Sequence, residues 1–221
     1  MEGKRAVAKR AAELVLAEQP EVLGVGSGTT VRLFVEELAR LGFRGLIVST
    51  SYDTSLLLKK HGLKVLELYT VDEVVLSVDG ADEVFVVEGL PYAIKGGGAA
   101  MLREKVLASI SKKRVYIVDE GKVSVKPCDR GVPIPIEVVP SALPAVERGL
   151  KELGIRWSVR EAKGKLGPVI TDNGNFVLDL DCVDALQKME EVERLPGVAV
   201  SGLFKPSLID VVLVGEKGKL P

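Results

Sequence analysis

Glu21-Val22-Leu23-Gly24-Val25, then Gly26-Ser27-Gly28-Thr29-Thr30, then Val31 to Leu41 decide the fold. The first stretch is a short apolar run of the kind that forms a buried strand. The second is a glycine- and hydroxyl-rich break. The third repeats apolar residues at i, i+3 and i+4, the spacing of a helix. Upstream, Ala and Leu recur at helical spacing over residues 5–18 until Pro20 stops them. Downstream the same alternation predicts a strand at 45–49, a helix at 54–60 and strands at 63–68 and 74–78. The last of these runs into Asp79-Gly80-Ala81-Asp82. Residues 84–87 and 91–94 read as a hairpin around Glu88-Gly89, Gly96-Gly97-Gly98 leads into a helix at 99–111, and 114–118 is a strand. Strands that alternate with helices predict an α/β fold: a mostly parallel sheet with helices on both faces.

The rhythm changes after Lys126. Pro127, Pro133, Pro135 and Pro140 interrupt the chain, a helix follows at 141–153, and strands are expected near 155–160, 168–171 and 176–180. Thr171-Asp172-Asn173-Gly174-Asn175 carries the Asn-Gly signal of a hairpin. A helix at 183–194 and a strand at 198–203 complete a small α+β unit, and Asp210 to Val214 is apolar enough to return to the first sheet. The expected organisation is one unit of residues 1–126 and 204–221, and a second of residues 127–203.

The 221 residues carry 30 Lys and Arg against 31 Asp and Glu, for a formal charge of −1, so no basic field argues for nucleic acid. No apolar run reaches the ~20 residues of a membrane helix. Met1 to Arg5 opens an amphipathic pattern rather than a leader, which points to a cytoplasmic protein. Cys128 and Cys182 are too few for a disulfide framework and suit a reducing compartment. With His61 the only histidine, and placed where it would cap a helix C-terminus, a histidine-based metal site is not expected. Gln19, Gln187, Asn173 and Asn175 are the only side-chain amides, a thermophile-like economy.

Four segments at predicted strand ends can carry chemistry. Gly26 to Thr30 places close-approach glycines and hydroxyls before a helix N-terminus, which suits an anion. It lacks the Gly-Lys-Ser/Thr of a Walker A loop and the third glycine of a dinucleotide fingerprint, and a flexible turn has the same composition. Asp79 and Asp82 flank a glycine, so they can converge on one small molecule and hold a shared proton; an acidic surface turn is the plain alternative. Lys95 precedes three glycines that are costly to order. Glu104, in the next helix, falls near one edge of the apolar stripe, although a helical glutamate is ordinarily a solvated charge. Asp119-Glu120-Gly121-Lys122 adds a further acid–base pair or a surface turn.

These segments, taken in order with Pro133-Ile134-Pro135-Ile136-Glu137-Val138-Val139-Pro140, Thr171 to Asn175 and Pro196-Gly197-Val198 through Gly202-Leu203-Phe204, resemble the ribose 5-phosphate isomerase A family along nearly the whole chain. The resemblance implies a Rossmann-like domain with a smaller, ferredoxin-like α+β domain, assembled as a homodimer or homotetramer. It implies interconversion of ribose 5-phosphate and ribulose 5-phosphate through a cis-enediolate, without metal or organic cofactor, with a sugar phosphate as partner and neither nucleic acid nor membrane. Carried onto this chain, Glu104 is the proton acceptor. The chemistry of such a reaction gives Lys95 the enediolate to steady and either Asp79 or Asp82 the oxygen proton, with Asp82 as shuttle and Asp79 assisting ring opening as the expected division. Substrate binding falls to Ser27, Gly28, Thr29, Thr30, Asp79, Gly80, Ala81, Asp82, Lys95, Gly96, Gly97, Gly98 and Lys122, with Lys4 as a phosphate contact. Ser27 and Thr29 exchange the hydroxyl residues usual at those positions, and Glu120-Gly121 replaces a pair of small residues. A CoA transferase-like enzyme with a nucleophilic Glu104, and a non-catalytic sugar-phosphate sensor, are the competing readings.

Overall fold

The computed structural model describes residues 2–215 and 218–220. Residues 1, 216–217 and 221 of the expected larger unit lie outside them. Helix α1 (Glu2–Glu18) buries Val7, Ala11 and Val15, and β1 (Val22–Val25) follows. Then come α2 (Thr29–Arg40), β2 (Leu46–Ser49), α3 (Tyr52–Lys60), β3 (Lys64–Leu66), β4 (Val74–Asp79), the hairpin β5 (Glu83–Val87) and β6 (Leu90–Ile94), α4 (Met101–Ser109) and β7 (Ser111–Val118). The remainder is β8 (Ile134–Val138), α5 (Leu143–Glu152), β9 (Trp157–Val159), β10 (Phe176–Leu180), α6 (Cys182–Ala185), α7 (Met189–Glu193), β11 (Val198–Ser201), β12 (Leu203–Phe204), β13 (Val211–Val214) and β14 (Gly218–Leu220).

The main sheet runs β14-β13-β7-β4-β1-β2-β3, parallel except for β14. The chain walks from β1 outward to β3, then crosses to β4 on the other side of β1. In open α/β sheets, ligands bind outside the carboxyl ends of the strands where the order reverses in this way. Alternation of side chains gives the sheet two apolar faces. Leu23, Ile47, Leu76 and Val78 pack under α1, α2 and α3 through residues such as Val15, Phe34 and Leu58. On the other face Leu107 of α4 meets Val48 and Val74, while Ala93 and Phe204 of a three-stranded sheet, β12-β6-β5, meet Tyr116 and Val212. Gly24 is what lets α4 come so close: a Cβ there would lie 2.7 Å from Leu107 Cδ1.

The second sheet, β11-β8-β10-β9, is antiparallel throughout. With α5 and α6–α7 as its crossovers it has the βαββαβ order of a ferredoxin-like unit. The prolines that look like interruptions in the sequence sit within or beside β8. Pro135 is tolerated in this interior strand because β11 stops pairing there. The chain leaves at Gly202, whose N–H donates to Pro135 O at 2.6 Å. Gly202 also divides the expected 198–203 strand, and its carbonyl accepts the Lys95 N–H at 2.8 Å as the chain crosses to pair β12 with β6.

Three further expectations change. Residues 168–171 form no strand; Ile170 makes one bridge to Phe176, and the Asn-Gly turn closes through Thr171 N–H to Asn175 O at 2.9 Å. The 183–194 helix is α6, a 3₁₀ turn at Leu186–Lys188 and α7, although Cys182, Ala185, Met189 and Val192 still form one buried stripe. Cys128 and Cys182 are joined in a disulfide rather than remaining free thiols. The register of β8 on β10, with Ile134 opposite Leu180, brings their flanking segments together.

Candidate active site

Four loops meet at the carboxyl edge of the main sheet. β1 ends into Gly26 to Thr30, where α2 begins with its first amides unpaired by the helix. β4 ends on Asp79, β6 runs into Lys95 and the glycine run, and β7 runs into Asp119 to Lys122. Glu104 comes from the first turn of α4. They form a cleft lined by every predicted position except Asp79 and Lys4.

Asp79 lies beneath that lining. Its Oδ1 accepts the Ser27 N–H at 3.1 Å and the Gly80 N–H at 2.7 Å, and its Oδ2 is 3.0 Å from Lys95 Nζ. Gly26 makes this possible, because a Cβ at that position would overlap the Asp79 carboxylate. Lys95 Nζ also donates to Gly80 O, lies 3.3 Å from Glu104 Oε2, and sits 5.7 and 5.6 Å from the Tyr116 and Phe204 ring centres. The remaining Glu104 oxygen accepts the Ser27 hydroxyl at 2.6 Å. Asp79, Lys95 and Glu104 are 6%, 2% and 4% exposed. Glu104 is therefore not the solvated charge that a helical glutamate ordinarily is: its side chain is part of a buried carboxylate–lysine–carboxylate row.

Asp82 does not join Asp79. The Ala81 turn sends it to the rim, where it accepts the Gly97 N–H at 2.8 Å and faces Lys122 Nζ at 3.8 Å. The carboxylate that shares a field with Asp79 is Glu104. Lys4, on α1, donates to Thr29 Oγ1 at 3.2 Å and lies 3.8 Å from Asp119. His61 caps α3 and stays outside the cleft lining.

Burial pushes the Glu104 carboxyl up to about 7, helped by the charge of Asp79 and opposed by Lys95 and the Ser27 hydroxyl. Burial also raises Asp79, against the pull of Lys95. Burial alone would lower the Lys95 ammonium, but the charges of Asp79 and Glu104 reverse this and hold it above the ordinary lysine value. The result is a carboxylate poised to take a proton near neutral pH beside a fixed cation, facing a cleft of hydroxyl and amide donors. Such a set can draw a proton from carbon and steady the oxyanion that forms.

Sequence reasoning missed the two aromatic rings around Lys95, which lie on β7 and β12 and so come together only through tertiary packing. It also missed Arg160, which reaches from the small sheet to Gly96 O at 2.6 Å. Neither carries a local signal. Among the described residues no group of three or more His, Cys, Asp and Glu is placed to hold a metal ion.

The family model for ribose 5-phosphate isomerase A (phosphoriboisomerase A) matches residues 46–219. A ribose-5-phosphate isomerase A of Archaeoglobus fulgidus is 40% identical over 97% of this chain and 95% of its own length. The solved ribose 5-phosphate isomerase A of Methanocaldococcus jannaschii superposes with a TM-score of 0.87 at 36% identity, covering 98% of this chain and 96% of that one. A D-ribose-5-phosphate isomerase solved in complex with phospho-erythronic acid gives 0.87 at 35% identity, covering 99% and 96%. By sequence, by fold and by the residues gathered at its sheet edge, this chain belongs to the ribose 5-phosphate isomerase A family.

Proposed function

We propose that this protein interconverts D-ribose 5-phosphate and D-ribulose 5-phosphate through a cis-enediolate. The observation that carries the reading is Glu104, a buried carboxyl near neutrality, held by Ser27 and Lys95 against the cleft. The reaction moves one proton between C2 and C1 and one between the two oxygens. Glu104 takes the carbon proton from one carbon and returns it to the other on the same face. Lys95 and the amides of the glycine run steady the enediolate oxygens. The phosphate is gripped by the amides and hydroxyls of Ser27 to Thr30 at the positive end of α2, with Lys4 and Lys122 at the rim. That remote grip orients the reacting carbons.

Asp82 is the oxygen-side shuttle in this reading, since it lines the cleft and Asp79 does not. Asp79 holds Lys95 and the Ser27 loop in place of the expected ring-opening role. Residues 127–203 act as a separate unit that braces the loops of the larger one. The chemistry uses side chains and amides alone. No described helix is long and apolar enough to cross a membrane, and a phosphorylated sugar substrate favours a cytoplasmic setting. Tyr52, Leu56 and Tyr69 leave apolar surface on α3 and the turn after β3, which supports a homodimer or homotetramer, to be read by light scattering.

The direct test follows ribulose 5-phosphate formation in deuterated water with a chelator present. Turnover with solvent deuterium entering the sugar is expected from the unsubstituted protein, and both are expected to fall about 10²–10⁴-fold in Glu104→Gln. Binding of ribose 5-phosphate without turnover, or an acyl adduct on Glu104 after incubation with an acyl-CoA, would overturn the reading.

A further inference from the structure

Three consecutive glycines line the cleft, and glycine imposes little on its own backbone. Something else must aim their amides. The side chain that touches this run from behind comes from the small sheet. Arg160 is fixed through its own backbone, its N–H donating to Val177 O and its carbonyl accepting the Val169 N–H, each at 2.8 Å. Asp179 clamps the guanidinium, accepting from Nε at 2.8 Å and from NH2. The remaining nitrogen, NH1, donates to Gly96 O at 2.6 Å and reaches Gly97 O at 3.3 Å. Gly96 O also accepts the Ala99 N–H at 3.0 Å, with Ala99 in the left-handed region at φ 59°, so the segment is held in a shape it would not choose alone.

A trans peptide points its C=O and N–H in opposite directions. With the Gly96 and Gly97 carbonyls turned toward Arg160, the N–H groups of Gly97 and Gly98 are turned away from it. The first is used by Asp82 Oδ2 at 2.8 Å. The second makes no hydrogen bond within the described protein, and Gly98 lines the cleft with Glu104. We propose that Arg160 is a positioning residue for the isomerisation: it sets and polarises the Gly97–Gly98 peptide so that the Gly98 N–H is presented to the enediolate oxygen. This rests on the isomerase reading above. A cation on the carbonyl side strengthens the N–H as a donor, and a donor aimed in advance at developing charge acts on the transition state.

The test uses Arg160→Met, Arg160→Lys and Asp179→Asn in the full chain. The readouts are kcat and KM for ribose 5-phosphate, inhibition by inorganic phosphate, inhibition by phospho-erythronic acid, and thermal melting. The acid carries a planar carboxylate besides its phosphate and so can also meet the donors proposed for the enediolate oxygens, whereas inorganic phosphate reports only the phosphate grip. For Arg160→Met, kcat is expected to fall about tenfold to a hundredfold. The inhibition constant of phospho-erythronic acid should rise by a similar factor, with inhibition by phosphate unchanged. Arg160→Lys and Asp179→Asn should lie between. Unchanged kcat and unchanged inhibition by the acid would overturn the proposal, as would losses in which phosphate inhibition and melting move together with kcat. If Arg160→Met does not fold, Arg160→Lys decides by the same criteria. An unsubstituted chain without turnover would sink the isomerase reading; full turnover in a folded Arg160 variant would sink only this one.

Discussion

The lysines and carboxylates of the cleft come from loops at the carboxyl ends of β4, β6 and β7 and from α4, whereas no described residue of 127–203 lines it. The small sheet acts from outside. Besides Arg160, its 171–175 turn is pinned to buried Glu137, whose Oε1 accepts from Thr171 Oγ1, Asn173 Nδ2 and Asn175 Nδ2 at 2.9, 3.0 and 2.8 Å. From there Asn173 Oδ1 and Asp172 O accept from Arg103, each at 2.8 Å, and the Arg103 guanidinium lies 4.7 Å from the Tyr52 ring centre. Lys105 ties the other side of α4 to Leu203 O at 2.8 Å. Glu104 thus sits between two residues that anchor its helix. In the proposed reaction one region supplies reacting groups and the other their placement, so substitutions in the two should fail in different ways.

The sharpest contrast comes from Glu104→Gln, expected to lower kcat about 10²–10⁴-fold with inhibition by phosphate unchanged. Lys95→Met should lower kcat about 10²–10³-fold. It also strands two buried carboxyls, so urea unfolding should show a loss of about 3–5 kcal/mol. The pH dependence comes next. With Glu104 as the ionised base of the proposed reaction, kcat/KM should fall tenfold per unit below about pH 7. The folded state holds this proton more tightly than the unfolded chain, whose carboxyl keeps its ordinary value of 4.5. Its contribution to stability is therefore full below pH 4.5 and is lost as pH rises through 7; Glu104→Gln should flatten that slope in unfolding measurements. Lys122→Ala should raise KM about tenfold at nearly constant kcat, the equivalent of about 1.4 kcal/mol of phosphate grip. Smallest is Asn173→Ala, expected to cost about fivefold in kcat, the equivalent of about 1 kcal/mol for one lost hydrogen bond. A KM effect without a kcat effect at Asn173 would break the division between the two regions.

The strand–loop–helix alternation was legible because its signals are local: apolar runs, periodicity and glycine stops. The loops that form the cleft were legible for the same reason. What escaped depends on register and on contacts distant in sequence. Pro135 looks like a break because a sequence does not show that β11 stops pairing beside it. The Cys128–Cys182 bond spans 54 residues and follows from the pairing of β8 with β10. Asp79 and Asp82 look equivalent on a turn, yet one is sealed under the sheet edge and the other lies at the rim. Glu104 has the wheel position of a boundary residue, and the tertiary packing that sets Ser27 and Lys95 against it is not visible in the sequence. The family resemblance pointed to Glu104; the ordinary exposure of helical glutamates favoured solvent.

The row of Asp79, Lys95 and Glu104 has a consequence for the energy of the reaction. With both acids ionised and the amine protonated, its sum is one negative charge. In the proposed reaction the row becomes neutral when Glu104 accepts the carbon proton, and the same unit of charge appears on the sugar oxygens beside it. Nothing ionic is created in the cavity; a charge is relocated. A medium that solvates ions poorly penalises their creation far more than their displacement. Turnover at saturation should accordingly be indifferent to added salt, while capture of the phosphate, which brings fresh charge in from water, should weaken with it.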